Sequence, residues 1–139
     1  MELMRFRREL QWLALVVFAV STLGIAACGL SASTVEGSLP DYDPALAYKL
    51  VTKEHALLLD VRTPQEYQQG HVPSAKNIPI QEFSSRLHEI EVLAGGDKTH
   101  PIVVYCESGG RAARAKRILA GAGFSKVTNL GGLRDWPSH

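Results

Sequence analysis

The chain has 139 residues, 45% of them hydrophobic and 21% charged, with a formal net charge of +1 at pH 7. This length holds one ordinary domain and little more, and the composition is that of a globular chain. Charge so near neutral gives no support for a nucleic-acid surface, and no zinc-ligand spacing, P-loop or dinucleotide fingerprint appears.

Residues 1–27 read as a signal peptide. Arg5, Arg7 and Arg8 form a positive start, diluted by Glu2 and Glu9, and Trp12 to Val20 is an apolar run. That run is short beside the roughly 20 residues that span a bilayer, which favours a cleaved signal over an anchor helix. Ile25-Ala26-Ala27-Cys28 then resembles a bacterial lipobox. The resemblance implies that Cys28 is lipidated and becomes the mature N-terminus. The protein is then exported and held at a membrane, facing the periplasm or the cell exterior, because several acyl chains make anchoring stable. Gly29 in place of aspartate points to the outer membrane in a host that has one. From Cys28 to Tyr42 the chain is rich in Ser and Gly and lacks periodicity, so it reads as a tether. An edge strand near Leu39 to Tyr42 is only weakly signalled.

The domain is expected over residues 43–139. Asp43-Pro44 is a helix start, with aspartate as the cap and proline at the first position. Leu46 with Leu50, and Ala47 with Val51, give that helix its apolar pairs. Ala56 to Leu59 reads as a buried strand leading into Asp60-Val61-Arg62. Thr63-Pro64-Gln65-Glu66 is a capping box that opens a short helix, stopped at Gly70. Lys76 to Ile78 is expected as a short strand. The spacing of Ile80, Phe83, Leu87 and Ile90 predicts an amphipathic helix ended by Gly95-Gly96. The charges on its other face read as a solvated surface.

Pro101 to Ala115 organises the rest. Ile102 to Tyr105 is a continuous β-branched and aromatic run, the pattern of a strand buried on both faces. Cys106 follows, then Glu107, Ser108 and Gly109-Gly110, and a helix runs on from Arg111 until Gly121 and Gly123. A thiol at the carboxyl end of a parallel strand faces the crevice where α/β sheets bind ligands. The helix behind it points unpaired N–H groups at the sulfur, the two glycines allow an inward-turned bend, and Arg111 adds positive charge. The Cys106 pKa is therefore expected below the free value of about 8.5. Val127 to Leu130 is a last strand. Strands alternating with helices imply an α/β fold, a central parallel sheet flanked by helices on both faces.

Cys106-Glu107-Ser108-Gly109-Gly110-Arg111 resembles the C-x-x-G-x-R loop of single-domain rhodaneses. A second match runs through Asp60-Val61-Arg62, Glu66-Tyr67 and Gly70-His71-Val72-Pro73-Ser74-Ala75-Lys76-Asn77-Ile78-Pro79, with Ser74 where glycine is more usual. Gly131-Gly132 and Trp136 match the family's closing motif. Tyrosine phosphatases separate cysteine and arginine by five residues, one more than here, and usually place histidine where Tyr105 stands.

The resemblance implies a rhodanese-like domain and a sulfurtransferase. Cys106 would be catalytic, accepting a sulfane sulfur from a small-molecule donor such as thiosulfate and passing it to cyanide or a thiol. Glu107, Ser108, Gly109, Gly110 and Arg111 would bind substrate. Asp60, Arg62 and His71 would hold the loops at the mouth by hydrogen bonds and ion pairing. No cofactor and no metal is implied. With Cys28 lipid-capped, the sulfur acceptor is expected to be external. A different class stays open beside the enzyme: a membrane-tethered persulfide carrier that serves a protein partner, with little small-molecule turnover.

Overall fold

The computed structural model describes residues 38–137. The expected signal peptide, Cys28 and most of the tether lie outside the described residues. Helix α1 (Pro44–Lys53) is followed by β1 (Leu57–Asp60), α2 (Pro64–Gln69), β2 (Lys76–Asn77) and α3 (Leu87–Leu93). Then come β3 (Ile102–Cys106), α4 (Gly110–Gly121), β4 (Val127–Gly132) and a 3-10 turn at Leu133–Asp135.

The caps form as the sequence predicts. Asp43 accepts the Leu46 N–H at 2.9 Å, and Thr63 and Glu66 make a reciprocal capping box at the start of α2. The four strands are parallel, in the order β2-β1-β3-β4. Alternation along β3 divides the core into two layers, since successive side chains leave opposite faces of a sheet. Ile102, Val104 and Cys106 pack with Ile90, Ala112, Ala115 and Leu119, under α3 and α4. Val103 and Tyr105 pack on the other side with Ala47 and Leu50 of α1. Both faces are covered, which is why every residue of β3 is buried. Trp136 closes the α1 side, its ring 5.6 Å from that of Tyr48.

The amphipathic helix expected from Ile80 differs. Only Leu87–Leu93 is helical, and the residues before it are turns. The Glu82, Phe83 and Ser85 amides donate to the carbonyls of Pro79, Ile80 and Glu82, three residues back rather than four. Ser85 also turns its hydroxyl onto the Glu82 carbonyl at 2.8 Å, the local competition that makes serine a weak helix former. Ile80, Phe83 and Ile90 still reach the core. Apolar spacing of three and four fixes which side faces inward, but not which hydrogen bond closes the turn.

The last residues of the expected tether are also different. The Tyr42 amide donates to the Asn129 carbonyl at 2.8 Å, and the Thr128 hydroxyl donates to the Pro40 carbonyl at 2.6 Å. Asp41 accepts from the Asn129 amide at 2.9 Å and from Lys116 Nζ at 2.6 Å. Residues 39–42 are thus bonded to β4 and α4, without forming a strand.

Candidate active site

In a parallel sheet all carboxyl ends lie along one edge. Asp60 pairs with Tyr105, and Cys106 with Gly132, so the ends of β1, β3 and β4 meet there. Cys106 is the last residue of β3, and α4 begins at Gly110. Between them Gly109 adopts φ +92, and its N–H donates to Cys106 Sγ at 3.0 Å. Burial pushes the thiol pKa up, but the amides of Ala112, Ser108, Gly109 and Arg111 outweigh it and leave it below the ordinary thiol value. Oriented N–H groups at the start of a helix are what a thiolate needs when water is excluded. Sequence reasoning expects the sulfur to stand open at the crevice. In the structure the bend closes over it, and Cys106 is only 1% exposed. Glu107, Ser108 and Gly110 are the exposed parts of the loop.

Only one of the two glycines is required by the bend. A Cβ on Gly109 would sit 2.9 Å from Tyr42 Cε1 and 3.3 Å from Gly131 Cα, in a left-handed conformation. A Cβ on Gly110 would meet nothing within 4 Å. Gly109→Ala is therefore expected to cost at least about 1 kcal/mol, whereas Gly110→Ala should be neutral or stabilising by up to about 1 kcal/mol. Urea titration of the two variants checks the contrast; equal effects would refute it. Gly132 serves closeness instead, since a Cβ there would strike the Glu107 carbonyl.

Arg111 does not stand alone beside the sulfur. Its guanidinium forms two 2.7 Å hydrogen bonds to the two carboxylate oxygens of Glu66. Glu66 is fixed in turn by the Thr63 amide and hydroxyl, each at 2.9 Å. Glu66 and, secondarily, the nearby Cys106 sulfur hold Arg111 more firmly protonated than usual. The capping carboxylate of α2 thus ties the β1–α2 connection to the first turn of α4. Arg111, opposed by burial and helped by Thr63, draws the Glu66 pKa from 4.5 to about 2. A carboxyl whose folded pKa is depressed contributes stability above its unfolded pKa and loses it as pH falls toward the folded one. The stability gap between the wild type and Glu66→Gln should therefore be full above about pH 5 and close by about pH 2. Urea midpoints across that range test this, and a gap independent of pH would contradict it.

Asp60 is wholly buried and Arg62 is 3% exposed. Arg62 Nη2 lies 2.7 Å from Asp60 Oδ2 and 2.6 Å from the Gly70 carbonyl, so the pair pins the turn after α2. Its guanidinium lies 5.7 Å from the centre of the Tyr105 ring. It reaches the sulfur loop through Glu107, whose carboxylate is 3.8 Å away and 53% exposed. The contacts of His71 lie within its own turn. The residue is exposed, its ring stacks on Tyr67 at 3.7 Å, and its Nδ1 lies 2.9 Å from the Tyr67 carbonyl. The loop-holding expected of His71 is confined to its own turn, and Glu66 does the cross-linking instead. Among the described residues no group of three or more His, Cys, Asp or Glu is placed to hold a metal ion.

Residues 43–139 match the family model described as the rhodanese-like domain. The chain belongs to the rhodanese family. It is 40% identical over 91 residues to the thiosulfate sulfurtransferase PspE of Escherichia coli K12, a match covering 66% of this chain and 84% of that one. It is 33% identical over 110 residues to the putative sulfur carrier protein YrkF of Bacillus subtilis, covering 78% and 56%. Among solved structures, the human single-domain sulfurtransferase TSTD1 superposes with a TM-score of 0.59 at 25% identity, covering 72% of this chain and 94% of that one. The rhodanese match begins at Asp43, where sequence reasoning starts the domain; residues 39–42 lie before it but are bonded to it.

Two residues in this rhodanese site escaped sequence reasoning in that capacity. Glu66 is legible as a cap, but nothing local announces its pairing with a residue 45 positions away. Asn129 is wholly buried inside β4; a lone amide in an apolar strand run was the signal available.

Proposed function

We propose that this rhodanese-type sulfurtransferase moves a sulfane sulfur from a donor such as thiosulfate to cyanide or a thiol through a persulfide on Cys106. The observation that carries the reading is the Gly109 N–H on Sγ at 3.0 Å, with neighbouring amides holding the thiol pKa down. The Cys106 thiolate attacks the outer sulfur of thiosulfate, forming one S–S bond as the donor's own S–S bond breaks. Sulfite leaves with the bonding pair. The terminal persulfide sulfur then lies among the loop amides, which stabilise it as oriented dipoles stabilise other developing anions. An acceptor nucleophile takes that sulfur and returns the thiolate, giving ping-pong covalent catalysis. The donor reaches the sulfur past Ser108 and Gly110, and Arg111, braced by Glu66, supplies a fixed positive charge at the approach. Glu107 borders the same approach, and Asp60 with Arg62 supports the loop from below. The E. coli relative named a thiosulfate sulfurtransferase supports the choice of donor.

Steady-state kinetics with thiosulfate and cyanide test this. Turnover with parallel double-reciprocal lines is expected. A stable persulfide without turnover would instead favour a carrier serving a protein acceptor, the reading that the relative named a putative sulfur carrier supports. Lipidation of Cys28, and with it a place at a membrane facing the periplasm or cell exterior, is proposed from the lipobox-like Ile25–Cys28. Metabolic labelling with a fatty acid should be lost in Cys28→Ala; labelling that persists would remove the idea.

A further inference from the structure

Asn129 has the environment of a working residue. It lies in β4 opposite Val104, at the point where the β3–β4 register shifts: Val104 faces Asn129, but Tyr105 faces Gly131. The shift inserts one extra residue, Leu130, and takes the Gly131 N–H out of the regular ladder. Asn129 Oδ1 accepts that N–H at 2.9 Å, a bond from side chain to the backbone two residues on. The other end of the same amide reaches out of the strand. Nδ2 donates to the Gly109 carbonyl at 3.1 Å, 20 positions away. That carbonyl also accepts the Ala113 N–H of α4 at 2.8 Å. Gly109 is thus held at both ends, its N–H on the sulfur and its C=O by Asn129 and the helix.

Asn129 is itself held. Its backbone N–H donates to Asp41, and its carbonyl accepts from the Tyr42 amide. Tyr42 also lays its ring against Gly109 and Gly131. The segment before α1 therefore locks the strand that locks the loop.

We propose that Asn129 is a positioning residue for the sulfur site, holding Gly109 in its left-handed conformation so that the Gly109 N–H meets Cys106 Sγ. The chemistry demands an amide. One acceptor and one donor are needed on the same short side chain, and both are consumed. A carboxylate would set an oxygen against the Gly109 carbonyl, and an apolar side chain would leave the Gly131 N–H unpartnered and the Gly109 carbonyl held by the Ala113 N–H alone; a buried donor without a partner costs more than the bond contributes. The inference rests on Cys106 being the reacting sulfur.

Asn129→Ser separates the two tasks. A serine hydroxyl can still accept the Gly131 N–H in the same local turn, but it is too short to reach Gly109. The charged groups beside the loop are Arg111 with Glu66, Arg62 with Asp60, Glu107, and Asp135 on the Gly132 amide; all are untouched by the change. Iodoacetamide alkylation of Cys106 is measured against pH in the full chain. The expected result is a pH midpoint above that of the wild type and alkylation at pH 7 slower by about threefold to tenfold, the effect of losing one hydrogen bond to a thiolate. If Asn129→Ser does not fold, Asn129→Leu, close in volume and without either polar group, is read the same way. A variant that melts earlier but keeps the wild-type midpoint would make Asn129 merely structural and overturn the proposal. A wild-type midpoint at or above about 8.5 would instead overturn the thiolate reading on which it rests.

Discussion

Cys106→Ser should lower sulfur transfer from thiosulfate to cyanide by at least about a thousandfold while leaving the domain folded. A serine hydroxyl is not ionised near neutral pH and forms no persulfide, so no covalent path survives. The site should tolerate the change structurally, because the hydroxyl can still accept the Gly109 N–H that now lies 3.0 Å from Sγ. The exchange is also close to isosteric in a position that is 1% exposed. The melting temperature is expected to move by no more than a few degrees, as a roughly 1 kcal/mol change does in a domain of this size. Turnover that persists in a folded variant would remove Cys106 from the chemistry. Loss of turnover together with unfolding would show that the thiol is first a core residue.

Arg62→Ala should be the most damaging of the supporting substitutions, lowering stability by about 3–5 kcal/mol. Asp60 is wholly buried. Without Arg62 its carboxylate loses three contacts at 2.7 to 3.1 Å, and the Gly70 carbonyl loses a donor as well. A buried charge stripped of its partner costs far more than the pair contributes when intact. Stabilities of small domains lie at about 5–15 kcal/mol, so the variant sits near the unfolding threshold. Replacing both residues together, Asp60→Asn with Arg62→Met, should recover much of the loss. Urea denaturation of the single and double variants measures this, and a single variant within about 1 kcal/mol of the wild type would show that the pair bears little.

The contrast between these two residues describes what sequence reasoning can and cannot reach. Cys106 was legible because its rules are local. A β-branched run, a cysteine, a left-handed glycine and a helix start are adjacent in the chain, and each constrains the next. The Asp43 and Thr63 caps were legible for the same reason. The alternation of strand and helix gave the parallel sheet. The partners of the site were harder. Arg111 meets Glu66 across 45 positions, and Asn129 meets Gly109 across 20; no local rule pairs them. His71 stood inside a strong motif, yet its ring spends its contacts on Tyr67 in the same turn. Burial of the sulfur followed from how tightly the loop closes, which depends on Tyr42, Gly131 and Gly132 arriving from elsewhere in the chain. Residues 39–42 look like linker because they end a Ser- and Gly-rich stretch that lacks periodicity. They are ordered by what they touch, namely Thr128, Asn129 and Lys116.

The Gly109–Gly110 pair makes the same distinction within two residues. Sequence treats them alike, but only Gly109 carries a positive φ and a crowded Cβ position. The helix takes Gly110 as its first residue, where any side chain would project into open space.

Whether the amide-lined bend makes Cys106 a sulfur acceptor is decided most directly by intact mass spectrometry after incubation with thiosulfate. The expected spectrum shows the mass of one added sulfur atom, lost again on treatment with cyanide and absent in Cys106→Ser. A wild-type protein that gains no sulfur, or a Cys106→Ser protein that gains it equally, would contradict the account.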